Sequence, residues 1–166
     1  MTTETGSESE TRPLEIALGP SHLPVSYLSS LLRVLQAALR EVARSNDGTA
    51  AMFSQQPQPV LVVSTATVEG DLVLRFTFGD PLDSTSLTHL SSLTFKAFLE
   101  QFSQFVKELP QRSLWGESVG GVRPRYASGV ERRLDQVRLE LRRFPKARLS
   151  FDRHTISFEG DRMEIG

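Results

Sequence analysis

The chain has 166 residues and a formal net charge of −1, from 19 basic and 20 acidic side chains. This length suits one domain, since domains cluster at ~100–150 residues, and 39% hydrophobic with 23% charged residues excludes wholesale disorder, collagen and coiled-coil extremes. The absence of cysteine excludes a disulfide framework, a thiolate metal site and a cysteine nucleophile, and it fits a reducing compartment. No apolar run approaches the ~18 residues of a membrane span. We therefore expect a cytoplasmic protein without a membrane partner.

The composition and hydrophobic spacing of residues 1–110 predict a tail followed by a folded body. Residues 1–12 contain Thr, Ser and Glu with almost no apolar side chain, so they are predicted to be a disordered acidic tail. Residues 13–110 are predicted to form an α+β body. Its first strand alternates apolar side chains over 14–18, and leucines spaced by three and four over 28–42 predict an amphipathic helix. A polar loop is expected from there to Pro59.

Two alternating runs and a phenylalanine-rich helix complete the predicted body. Residues 60–68 and 72–78 flank a Glu-Gly-Asp turn, which indicates a β-hairpin. The following helix places Phe95, Phe98, Phe102 and Phe105 on one face and is predicted to end at Pro110. We expect this face to pack on the apolar side of the hairpin, with Phe98 and Phe102 buried.

The pattern of residues 111–166 predicts a loop, a helix and a β-meander. Residues 111–127 lack periodicity and are predicted to be a flexible Gly-rich loop. Ser128 and Glu131 have the spacing of a capping box, and residues 128–166 then give a basic helix and two or three short strands, in the same domain. The fold class is thus α+β, a largely antiparallel sheet covered by two or three amphipathic helices. The expected order is β-α-β-β-α-loop-α-β-β, with a possible further strand.

One motif raises a catalytic alternative. Residues 116–120 read Gly-Glu-Ser-Val-Gly, the pattern that presents a nucleophilic serine in some hydrolases. In that interpretation Ser118 attacks, His154 accepts its proton, and Asp135 or Asp152 orients the imidazole. The motif lacks the strand before it and the helix after it that such an elbow needs. A non-catalytic chain is therefore favoured, without cofactor or metal, and the serine hydrolase is the third alternative.

Charge is distributed unevenly and indicates an interaction surface. Residues 123–148 contain nine Lys or Arg and three acidic residues. The arginine guanidinium binds carboxylates and phosphates through two parallel hydrogen bonds. The predicted helix also carries a narrow apolar stripe that suits contact with one other helix, in this chain or in a second copy. The predicted partner-binding residues are Arg123, Arg125, Arg132, Arg133, Leu134, Arg138, Leu141, Arg142 and Arg143.

These observations favour a protein-interaction or accessory module of a cytosolic assembly, of bacterial type. The partner is expected to be another protein or a second copy of this chain. The alternative is a nucleic-acid-binding accessory domain, because a basic helix face can follow a phosphate backbone by counterion release. Against it, the whole chain is balanced in charge, whereas nucleic-acid modules usually are basic.

Overall fold

The computed structural model describes residues 12–20, 22–46, 48–54, 58–79, 87–117, 128–159 and 162–166. Within them the fold is α+β, with a six-stranded antiparallel sheet and four helices, which confirms the predicted class. In chain order the elements are β1 (Leu14–Pro20), α1 (Val25–Ser45), α2 (Ala50–Ser54), β2 (Val60–Val68), β3 (Asp71–Gly79), α3 (Thr88–Glu117), α4 (Gly129–Leu141), β4 (Ala147–Phe151), β5 (His154–Glu159) and β6 (Arg162–Ile165).

The sheet joins the two ends of the chain. Its strand order is β2-β3-β1-β4-β5-β6, so β1 lies between β3 and β4. Ile16 of β1 is paired with Leu74 on one side and with Leu149 on the other. The C-terminal meander therefore continues the sheet that the N-terminal hairpin begins, and both share one core.

The β2–β3 hairpin turns through two residues with positive φ. Val68 pairs with Asp71, and between them Glu69 and Gly70 have φ of 53° and 86°. Positive φ at both central positions is typical of the type I′ turn, whose twist matches that of the flanking strands. Glycine adopts this conformation without steric cost, whereas glutamate is strained there.

Helix α3 lies against β3, β4 and β5, and its phenylalanines fill the space between the helices and the sheet. Phe95, Phe98, Phe102 and Phe105 are buried, as their spacing predicts. The ring of Phe95 stacks on Phe78 of β3, with 5.7 Å between centroids. Phe102 lies 5.9 Å from Phe158 of β5. The face thus spans the sheet beyond the hairpin on which it was expected to pack.

Helix α4 lies antiparallel to α1. At one end a Cβ on Gly129 would lie 3.3 Å from the carboxylate of Glu41, and at the other end Tyr27 makes an edge-to-face contact with Phe144. The predicted cap is present, since the hydroxyl of Ser128 accepts a hydrogen bond from the Glu131 amide at 3.3 Å. The narrow stripe of α4 is therefore used within this chain, against α1.

Two local predictions are wrong. Residues 50–54 form the short helix α2 in place of part of the expected loop. Helix α3 also continues past Pro110 to Glu117, so residues 111–117 are helical. Proline removes one N–H donor and costs ~3 kcal/mol in a helix interior, but Gln, Arg and Leu follow it closely and favour the helix. The rest of the predicted loop, 118–127, and tail residues 1–11 lie outside the described residues.

Candidate interaction surface

Helices α1 and α4 lie side by side and carry more arginines than acidic side chains. Together with Arg142 and Arg143, which follow α4, they contain eight arginines and four acidic side chains. One arginine and one acid of this set pair in the interior, which leaves seven arginines against three glutamates. The arginines are Arg33, Arg40 and Arg44 on α1, and Arg132, Arg133, Arg142 and Arg143 on or after α4.

A shallow depression runs between the two helices at the centre of this surface. We call it the helix-pair groove. Its lining is Arg33, Val34 and Ala37 from α1, and Arg133, Gln136, Leu139 and Glu140 from α4. Leu139 is 46% exposed, which is high for a large apolar side chain. The groove therefore combines two guanidinium groups with an apolar contact area.

The three arginines of α1 were not among the predicted partner-binding residues. Arg33, Arg40 and Arg44 are separated by seven and four residues, so they lie on one face of α1. That spacing was visible in the sequence. Their position beside the arginines of α4 was not, because it depends on the antiparallel packing of two helices that are about a hundred residues apart in the chain.

Two predicted partner-binding leucines are inside the molecule. Leu134 and Leu141 are 1% and 0% exposed and belong to the same core cluster as the leucines of α1. Their spacing is equally suited to a helix of the same chain and to one of another molecule, and α1 fills that role. As placed, they offer no side-chain surface to a partner, which corrects the prediction for these two positions.

Arg138 also contacts a side chain of this chain's interior. Its Nε and Nη2 atoms lie 2.8 and 2.7 Å from Oδ1 of Asp135, and the two side chains are 13% and 3% exposed. The guanidinium of Arg138 therefore compensates a buried carboxylate, and we assign it a structural role in place of the predicted partner contact. Arg132 and Arg133 remain exposed. Arg123 and Arg125 lie outside the described residues.

The end of α4 is organised around Tyr27. The guanidinium of Arg143 lies 5.3 Å from the centroid of the Tyr27 ring, in a cation–π arrangement, and 3.5 Å from Oε1 of Glu140. Arg142 and Arg143 are both exposed at this end. The pairing orients Arg143 while its side chain stays accessible from solvent.

The residues of the hydrolase alternative occupy different environments. Ser118 lies outside the described residues. The carboxylate of Asp135 is held by Arg138, and Asp152 forms an ion pair with Arg12. His154 is exposed at the start of β5. Neither candidate acid is thus free of a cationic partner in the described structure.

Two further properties of the described residues bear on function. No group of three or more His, Asp or Glu side chains is placed to hold a metal ion in the described ranges. No helix among them is long and apolar enough to cross a membrane.

Comparison with known proteins found no matching family model, no similar curated protein and no similar solved structure.

Proposed function

We propose that this protein is a non-catalytic interaction module of the cytoplasm that binds an acidic segment of a partner protein in the helix-pair groove. The observation that carries the proposal is the convergence of Arg33 and Arg133, from helices far apart in the chain, on one groove with an exposed leucine. The lack of cysteine supports a reducing compartment.

The charge on the surface favours an anionic partner. Outside the buried Arg138–Asp135 pair, seven arginines face three glutamates on the two helices. A guanidinium can donate two parallel hydrogen bonds to one carboxylate, which gives geometric specificity as well as attraction. Side-chain carboxylates of Asp or Glu are the protein groups that fit this arrangement.

A protein segment fits the groove better than a nucleic-acid backbone. Glu140 lines the groove and Glu41 and Glu131 lie on the same two helices, so closely spaced phosphates would meet carboxylates as well as arginines. The exposed Leu139 can contact an apolar peptide side chain, which a phosphate backbone does not offer.

The test is binding of a fluorescein-labelled peptide rich in Asp, Glu and Leu, measured by fluorescence anisotropy. We expect Arg33→Glu combined with Arg133→Glu to weaken binding by roughly tenfold or more, because two attractive contacts become repulsive. Leu139→Ser should weaken it as well. Labelled duplex DNA serves as the second probe.

The matched control is Arg153→Glu combined with Arg162→Glu, which changes the net charge equally at exposed positions of the β-meander. We expect this variant to bind the peptide nearly as tightly as the natural chain. Equal losses in both double variants would show a non-specific charge effect. Binding of DNA in preference to the peptide, with loss in the groove variant, would establish the nucleic-acid alternative.

A further inference from the structure

Strand β2 forms one edge of the sheet, and its side chains are open to solvent. Its only strand partner among the described residues is β3. None of its nine residues is buried, and Val62, Val63 and Val68 are 46%, 41% and 45% exposed. The outer edge of such a strand presents backbone N–H and C=O groups that can pair with another strand.

The helical layer leaves Val63 of β2 exposed on the side of the sheet where the core lies. Val63 is paired with Phe76 in the register, so both side chains point to the same face of the sheet. Phe76 is 1% exposed and Val63 is 41% exposed. Only Leu61 of β2 packs against the core, and the rest of the strand, with its exposed valines, extends beyond it.

The sequence of β2 lacks the features that protect edge strands. It reads VLVVSTATV, with no charged residue and no proline. The opposite edge, β6, is only four residues long and contains Arg162 and Glu164. Short length and charge are ordinary ways of preventing edge-to-edge pairing, so the two edges of this sheet differ in the property that controls association.

We propose that β2 pairs antiparallel with β2 of a second copy, with Ser64 opposite Ser64 on the two-fold axis, to form one continuous sheet across the dimer. In this register all nine residues are paired. Val62 meets Ala66 of the other copy, and Val63 meets Thr65, so that uncharged side chains lie opposite each other. A two-fold interface requires such a self-complementary strand, and the absence of charge means that no like charges meet within it.

The neighbouring strand is compatible with this register. Arg75 of β3 is paired with Ser64 in the sheet and would approach its counterpart across the two β2 strands. Its Nε donates a hydrogen bond to Oε2 of Glu15 on β1 at 2.8 Å. Because this carboxylate offsets the guanidinium charge, the two copies of Arg75 do not oppose pairing. The proposal is independent of the helix-pair groove, which lies on the helices.

The absence of cysteine allows a direct test by site-specific cross-linking. Mild oxidation of the Ser64→Cys variant should give a disulfide-linked dimer on a non-reducing gel. Val62→Cys and Ala66→Cys should each cross-link poorly alone and efficiently when mixed, because these positions face each other in the proposed register. Glu164→Cys, on the opposite edge strand, is the control and should remain monomeric.

Charged substitutions of Ser64, the residue on the proposed two-fold axis, provide a second test in solution. Analytical ultracentrifugation of the natural chain should show a concentration-dependent dimer. Ser64→Lys and Ser64→Glu should each be monomeric and folded by circular dichroism, since like charges would lie directly opposite. Their mixture should form a heterodimer. A natural chain that stays monomeric over the whole concentration range, or no heterodimer in the mixture, would overturn the proposal.

Discussion

Asp135 and Arg138 form a buried ion pair one turn apart on α4, with 2.7 Å between Nη2 of the arginine and Oδ1 of the aspartate. The side chain of Asp135 is 3% exposed. Arg138 therefore stabilises the fold, whereas Arg132 and Arg133 of the same helix are exposed and can contact a partner.

The first prediction follows from that division. Arg138→Ala should lower the free energy of unfolding by about 3 kcal/mol, because it removes a hydrogen-bonded cation from a buried carboxylate. Arg132→Ala, at an exposed position of the same helix, should change it by no more than ~0.5 kcal/mol. Urea unfolding followed by circular dichroism measures both. Equal effects of the two substitutions would contradict the structural role of Arg138.

The second prediction concerns the phenylalanine face of α3. Phe102 is fully buried and lies 5.9 Å from Phe158 between centroids, so Phe102→Ala should cost ~3–5 kcal/mol through lost transfer energy and the cavity left behind. Leu139→Ala, at an exposed apolar position, is the control and should leave the unfolding midpoint almost unchanged. An unchanged midpoint for Phe102→Ala would show that this face is not core.

The third prediction addresses whether the C-terminal helix is part of the cooperative unit. Leu134 and Leu141 are buried in the same cluster as β1 and α1 residues. Leu134→Asp combined with Leu141→Asp should therefore unfold the whole chain, because two carboxylates would be placed in an apolar interior. The amide NMR spectrum should lose its dispersion throughout. Retention of dispersed signals from residues 14–110 would show that this part folds without α4.

The fourth prediction concerns the strained turn of the β2–β3 hairpin. Glu69 has φ of 53°, a conformation that asparagine and glycine adopt more easily. Glu69→Asn should raise the free energy of unfolding by roughly 0.5–1 kcal/mol and give the Asn-Gly pair that two-residue hairpins prefer. Glu69→Ala removes the same charge without relieving the backbone, and this control should give no gain. A gain of equal size from alanine would assign the effect to charge.

The sequence was sufficient to predict most elements and the inner face of each. Hydrophobic spacing reports which side of a helix or strand is buried, so the burial of Phe98 and Phe102 followed from the pattern alone. Spacing does not report what covers that side. For this reason Leu134 and Leu141 were assigned to an external contact, although α1 of the same chain covers them.

The groove itself could be predicted only in part. The excess of arginine in the C-terminal part is a local property, and Arg133 was identified from it. Arg33 joins it through the antiparallel packing of α1 and α4, which depends on the whole sheet order. The passage of α3 through Pro110 was likewise missed, because the local preference of proline to end a helix was outweighed in this chain.

The central claim is that an acidic protein segment binds in the helix-pair groove, and NMR mapping tests it most directly. Titration of the labelled acidic peptide into isotopically labelled protein should shift the amide signals of Arg33, Ala37, Arg133, Gln136 and Leu139. Signals of the exposed meander residues Arg153 and Arg162 should stay in place. Shifts confined to the meander or to the helix-free face of the sheet, with the groove signals unchanged, would contradict the account.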